Sequence, residues 1–154
     1  MWKLIAISGS LRLDSTNTQL LDAVARLAPP MFEVEIAPTL AELPHFDAPA
    51  DDDGPAIVAA FRATVRAADA VIIASPEYAH GIPGSLKNAL DWMVGSGELY
   101  ERPVLLLHGS PRATFAQAAL IEVLRTMGAV IVGDTHFPIE LLGSRADADR
   151  KSVV

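Results

Sequence analysis

The sequence has no cysteine among its 154 residues. That excludes a disulfide framework, a thiolate nucleophile and any Cys-ligated metal or iron–sulfur site, so redox chemistry would have to belong to a bound cofactor. Positive charge is also scarce: 12 Lys and Arg stand against 19 Asp and Glu, a formal net charge of −7. Without a basic face to displace phosphate counterions, no nucleic-acid partner is expected. No apolar run approaches the roughly 18–20 residues of a membrane-spanning helix. Met1-Trp2-Lys3 leads straight into Leu4-Ile5-Ala6-Ile7, too short for a secretory h-region and without a small-residue cleavage site, so a cytoplasmic chain with no membrane partner is expected.

What is present is apolar: 51% of residues are hydrophobic and 20% charged. At this length the chain is expected to bury a sizeable core as a single domain spanning residues 1–154. Five β-like runs can be placed, at Trp2 to Ser8, Phe32 to Ala37, Ala70 to Ser75, Val104 to His108 and Ala129 to Gly133. The first, third and fourth are almost continuously apolar, as strands buried on both faces are, whereas the second alternates and reads as an edge. Between them, residues share helical faces: Leu20, Val24 and Leu27; Ile57, Phe61, Thr64, Val65 and Ala68; Leu86, Leu90 and Met93; Leu120, Leu124 and Met127. Pro29-Pro30, Gly95-Ser96-Gly97 and Gly128 stop helices, Gly54-Pro55 opens one, and Asp53 is a candidate N-cap. Strands alternating with helices in this way predict an α/β fold with a parallel sheet covered on both faces.

Two loops, each directly after an apolar strand and directly before a helix, carry the chemistry. The first is Gly9-Ser10-Leu11-Arg12-Leu13-Asp14-Ser15-Thr16-Asn17. A phosphate monoester needs several donors converging on a dianion at the positive end of a helix. Ser10, Ser15 and Thr16 offer hydroxyls, Asn17 an amide, and Arg12, a lone cation among neutral polar neighbours, a fork of donors. The plainer alternative is that Ser15 or Thr16 caps the helix and Arg12 is a surface charge. The second loop is Ser75-Pro76-Glu77-Tyr78-Ala79-His80-Gly81-Ile82-Pro83-Gly84. Pro76 turns the chain sharply out of the strand, so the amides of Glu77, Tyr78 and Ala79 can meet the polar edge of a planar ring that Tyr78 flanks. Here the plainer alternative makes Glu77 a solvated acid and Tyr78 a packing residue. His80 reads as exposed, and Lys87 and Asp91 as an i,i+4 pair. Together the loops suggest a flavin nucleotide.

The strings GSLRLDSTN and SPEYAHGIPGSLKNALDW, in this order and spacing, resemble the flavodoxin-like NAD(P)H-dependent FMN reductase family over roughly residues 1 to 135. The resemblance implies a three-layer sandwich around a five-stranded parallel sheet of order 2-1-3-4-5. FMN would be the cofactor and NADPH or NADH the co-substrate. Ser10, Arg12, Ser15, Thr16 and Asn17 would hold the phosphate, and Pro76, Glu77, Tyr78 and the backbone near Ala79 and Gly81 would contact the ring. It further implies ping-pong hydride transfer to a small acceptor such as a flavin, quinone or azo compound, no catalytic side chain, and a homodimer or homotetramer to which the helix around Leu86 to Trp92 contributes. The chain departs from the family at Ala79, where many relatives have Asn, and in the His108 to Thr114 loop. After the fifth strand the chain runs from Asp134 through Thr135-His136-Phe137-Pro138, and only the short, charged Arg145 to Lys151 segment stands where a full closing helix is expected, so that helix is taken as short or absent.

Two other classes are weaker. An electron carrier like flavodoxin fits the acidic charge, but flavodoxins favour a phosphate loop without arginine. A Ser-His-Asp hydrolase lacks the Gly-x-Ser-x-Gly elbow. Replacing Arg12 by alanine should weaken FMN binding by about 1.5–3 kcal/mol with little effect on riboflavin, as read by flavin fluorescence titration; unchanged FMN affinity would place Arg12 outside the phosphate site.

Overall fold

The computed structural model describes residues 1–48, 54–108 and 114–132. Asp53 as an N-cap, residues 109–113 of the loop after the fourth strand, and everything from Gly133 onward lie outside these residues. The elements run β1 (Trp2–Ser8), α1 (Thr16–Leu27), β2 (Phe32–Ile36), α2 (Ala56–Arg66), β3 (Ala70–Ala74), α3 (Gly84–Val94), β4 (Pro103–Leu107), α4 (Thr114–Thr126) and β5 (Val130–Ile131), with a short 3-10 turn at Leu40–Glu42. The five expected strands and the four helices between them are found; β1 has the expected bounds, β2 and β3 differ by one residue at one end and β4 by one at each, and β5 is shorter within the described residues.

All strand pairings are parallel and the order is β2-β1-β3-β4-β5, the flavodoxin-like arrangement. Period-2 alternation divides the strand residues between two cores. Ile5, Ile7, Val71, Ile73, Val104 and Leu106 join the core formed with α2, α3 and α4. Ala6, Ile72, Ala74 and Leu107 face the other way, onto Leu20 and Leu21 of α1. The β2 strand pairs only with β1 and, as an edge, exposes Glu33 and Glu35.

The helix faces differ from the expected stripes in two places. In α1 the buried pair is Leu20 and Leu21, and Leu27, at the last helical position, is 82% exposed. In α2 the buried stripe is Val58, Phe61 and Val65, while its neighbour Ile57 faces solvent. Adjacent apolar residues leave the helix phase ambiguous, and packing against the sheet selects one. The α3 stripe of Leu86, Leu90 and Met93 is as read, and Trp92 joins it in the core.

Gly128 ends α4 at φ +77, and a Cβ there would lie 2.7 Å from the Tyr100 ring, so both backbone conformation and space call for glycine. Asn88 of α3 ties down the irregular segment before α2. Its Oδ1 accepts from the Phe46 N–H at 2.7 Å and its Nδ2 donates to the Pro44 carbonyl at 2.9 Å. Trp92 Nε1 donates to the same carbonyl at 2.9 Å, and its ring meets Phe46 edge-on at 5.0 Å.

Between α3 and β4 the chain buries a carboxylate. The side chain of Glu98 is wholly inaccessible, and its Oε1 accepts from Arg62 Nε at 3.0 Å and Arg66 Nη2 at 2.6 Å, both on α2. Ser96 Oγ donates to Glu98 Oε2, and Arg102 Nε to the Glu98 carbonyl. Burial pushes the carboxyl group upward, but the hydrogen bonds from Ser96, Arg62 and Arg66 outweigh it and hold the group below its ordinary 4.5. Because the folded-state value is depressed, the stabilisation is complete above the ordinary value and is lost as pH falls through the lowered one. Glu98→Ala is expected to cost about 3 kcal/mol in urea unfolding at neutral pH, since it strips Arg62 of a buried charge partner. The gap between parent and variant should narrow below pH 4.5; a gap independent of pH would show that the carboxylate charge contributes nothing.

Candidate functional site

The two loops meet because β1 and β3 are neighbours. Leu4 to Ser8 run in register with Ala70 to Ala74, and the pairing continues as Gly9 N–H donates to the Ala74 carbonyl at 2.8 Å. From β1 the chain passes outward to β2 and then returns to the other side of β1 as β3. Crossover connections on opposite sides leave a crevice beyond the carboxyl ends of these strands. The loops touch there: a Cβ on Gly9 would sit 2.8 Å from Ser75 Oγ, so glycine sets their separation.

The first loop is knitted by its hydroxyls. Ser8 Oγ shares a 2.8 Å hydrogen bond with Thr18 Oγ1 and accepts from the Ser10 N–H. Ser10 Oγ accepts from the Arg12 N–H at 3.3 Å, which leaves its O–H to donate elsewhere. Ser15 is the N-cap of α1, its Oγ accepting from the Asn17 N–H at 3.2 Å. Capping therefore occupies one lone pair of Ser15 and leaves its O–H as a donor. Asn17, only 8% exposed, has a side-chain Oδ1 with no hydrogen-bond partner. A buried orphan acceptor of this kind costs about 1–3 kcal/mol.

Arg12 is not the isolated cation the composition of the loop suggests. The turn at Leu13-Asp14 brings the Asp14 carboxylate back onto its guanidinium, with Nη2 3.0 and 3.1 Å from the two oxygens and Nε 3.2 Å from Oδ1. The pair is exposed, 69% and 70%, so solvent screens it and it contributes at most about 1 kcal/mol. An incoming dianion can compete for such a guanidinium.

The second loop folds into a tight turn. Tyr78 and Gly81 exchange hydrogen bonds at 3.1 and 2.9 Å, and the two residues between them, Ala79 and His80, have φ of 49 and 59. Both central residues are left-handed, as in a type I′ turn, a conformation suited to Asn-Gly. Tyr78 is exposed, whereas Pro76 is half-buried. Glu77 is not simply a solvated acid: its Oε2 accepts from the Ala116 N–H at 2.8 Å, in the first turn of α4. His80 stacks on Phe115 of the same turn, with ring centroids 4.3 Å apart and planes 15° from parallel. Neither contact has a signal in the sequence, because the partners lie more than thirty residues away in a segment read only as a helix. Lys87 and Asp91 pair as expected, at 2.6 Å. Among the described residues no cluster of His, Asp and Glu has metal-holding geometry, and no helix is long and apolar enough to cross a membrane.

The family model described as NADPH-dependent FMN reductase matches residues 2–141. The chain belongs to the NADPH-dependent FMN reductase family. Membership makes it an oxidoreductase with FMN as cofactor and NAD(P)H as co-substrate. Among individual proteins, it is 30% identical over 159 residues to a quinone reductase of Escherichia coli K12, covering 99% of this chain and 85% of the relative. It is 42% identical over 153 residues to a 2-hydroxy-1,4-benzoquinone reductase of a Burkholderia species, covering 96% and 83%. In structure it resembles the flavoenzyme NAD(P)H:(acceptor) oxidoreductase FerB of Paracoccus denitrificans, with a TM-score of 0.79, 30% identity, and 88% and 78% of the two chains covered.

The conformation of the second loop has a measurable cost. Ala79→Asn places a residue tolerant of the left-handed region at φ 49 and should raise stability by about 0.5–1 kcal/mol in urea unfolding. No gain would mean that the turn relaxes without penalty in the parent protein.

Proposed function

We propose that this FMN reductase binds FMN across the ends of β1 and β3 and passes reducing equivalents from NAD(P)H to small quinone or flavin acceptors. The observation that carries the reading is Asn17: a nine-tenths buried amide with an orphaned oxygen, in the first turn of α1 at the strand switch. Rotating the amide by 180° exchanges donor for acceptor, so it suits either a phosphate oxygen or a ribityl hydroxyl. The quinone reductases similar to this chain support the acceptor class.

The residues of the first loop fit a phosphate. Ser10 and Ser15 retain O–H donors, the early N–H groups of α1 lack intrahelical acceptors, and Arg12 exchanges an exposed carboxylate for a dianion. Thr16 adds a hydroxyl at the first helical position. The second loop would receive the ring: Pro76 directs the chain out of β3, the amides of Glu77 and Ala79 would meet its polar edge, and exposed Tyr78 would flank it, whereas the Tyr78 amide expected there is instead spent closing the turn on the Gly81 carbonyl. Bound there, the flavin supplies two-electron chemistry between nicotinamide and acceptor. The chain itself binds and orients, and no side chain of either loop is assigned a proton-transfer role. Exposed apolar side chains beside the site, Leu11, Leu13, Tyr78 and Phe115, support assembly of a homodimer or homotetramer over it. Dependence on NAD(P)H supports a cytoplasmic location.

The test is an FMN titration followed by quenching of flavin fluorescence, with riboflavin in parallel and NADPH or NADH added anaerobically at the end. Riboflavin should bind at least about tenfold more weakly, roughly 1.4 kcal/mol. The oxidised-flavin absorbance should bleach on nucleotide addition and return with a benzoquinone. Bound FMN that neither nucleotide bleaches would overturn the reading.

A further inference from the structure

The turn that presents amides to the flavin is held from outside itself. Tyr78, Ala79 and His80 are all exposed, so no burial energy fixes them, and both central residues sit in the left-handed region without being Asn or Gly. Among the described residues, and beyond the turn's own hydrogen bonds, two contacts restrain it, and both are made by the first turn of α4: the Ala116 N–H to Glu77 Oε2 and the Phe115 ring to His80. That helix is a firm anchor, because Leu120 and Leu124 bury it in the core shared with α3 and β4.

We propose that this joint positions the flavin-facing turn, so that Glu77 and Phe115 are positioning residues for FMN and the Glu77 carboxylate acts through α4 instead of touching the ring. The inference rests on the site reading above. Its chemistry is favourable at both contacts. Ala116 carries one of the first-turn N–H groups that has no intrahelical acceptor, and a carboxylate at that end meets the positive pole of the helix. A hydrogen bond to an ionised acceptor is about twice as strong as a neutral one. Pro76, immediately before Glu77, limits the backbone freedom through which the carboxylate could turn elsewhere. Because the joint meets the turn and leaves the first loop alone, its loss should affect ring binding and spare phosphate recognition.

The experiment measures FMN and riboflavin affinities by fluorescence quenching for the parent, Glu77→Gln, Glu77→Ala, Phe115→Ala and the double alanine variant, together with urea unfolding of each flavin-free protein. Glu77→Ala should raise both dissociation constants about tenfold, roughly 1.4 kcal/mol. Glu77→Gln, which keeps an acceptor oxygen, should stay within about threefold of the parent. The double variant should lose less than the product of the two single losses, because the second substitution finds the joint already broken. Losses that multiply, a loss confined to FMN, or a drop in stability with both affinities unchanged would each overturn the inference while leaving the site reading in place. If the parent itself binds no FMN, the site reading fails and the inference with it.

Discussion

The hydrogen-bonded neighbourhood of β1 and β3 is the constraint on which the rest of the molecule depends. Parallel pairing from Leu4 to Ser8 against Ala70 to Ala74 brings together two chain segments more than sixty residues apart and ends both strands at one level. The loops that leave them diverge only afterwards. Had β2 lain between β1 and β3, the Ser10–Asn17 and Pro76–Gly81 segments would stand two strand spacings apart, close to 10 Å, with a third loop between them. The close approach of Gly9 to the Ser75 side chain is the local expression of this constraint: a side chain at Gly9 would wedge the crevice open.

Much of this was legible from the residues. Uninterrupted apolar runs identify β1 and β3 as interior strands, and Ser, Gly and Pro clusters mark where each ends. The alternation of β2 marks it as an edge. Those signals are local, and local signals survive folding when the tertiary structure adds no conflicting demand. The helix phases were less secure, because Ile57-Val58 and Leu20-Leu21 offer two adjacent apolar faces and only the sheet decides between them. The Arg12–Asp14 pair escapes a reading of Arg12 as a lone cation among neutral neighbours, and it is realised only because the chain turns at Leu13 and Asp14.

The remainder was illegible for a different reason. Glu77 to Ala116, Asn88 to Phe46 and Glu98 to Arg62 each span between 36 and 42 residues. A single carboxylate or amide has no periodicity that would announce its partner at that distance. In the first two of these contacts, a polar side chain accepts from a backbone N–H that regular structure would otherwise satisfy; the third pairs two charged side chains. Asn88 gives an irregular segment a surrogate strand neighbour, Glu77 completes a helix start, and Glu98 fastens the end of one helix–strand connection to α2. The functional loops can thus be irregular while their surroundings remain rigid.

The free edge of the sheet has its own consequence. Along β2, Glu33 and Glu35 leave the backbone on the same face, one either side of Val34. Two molecules aligned edge to edge about Val34 in antiparallel fashion would set each Glu33 opposite a Glu35, so every close side-chain pair on that face would join two negative charges. The sheet is thereby discouraged from extending itself into a ribbon of like molecules, although among the described residues no strand pairs with the outer side of β2.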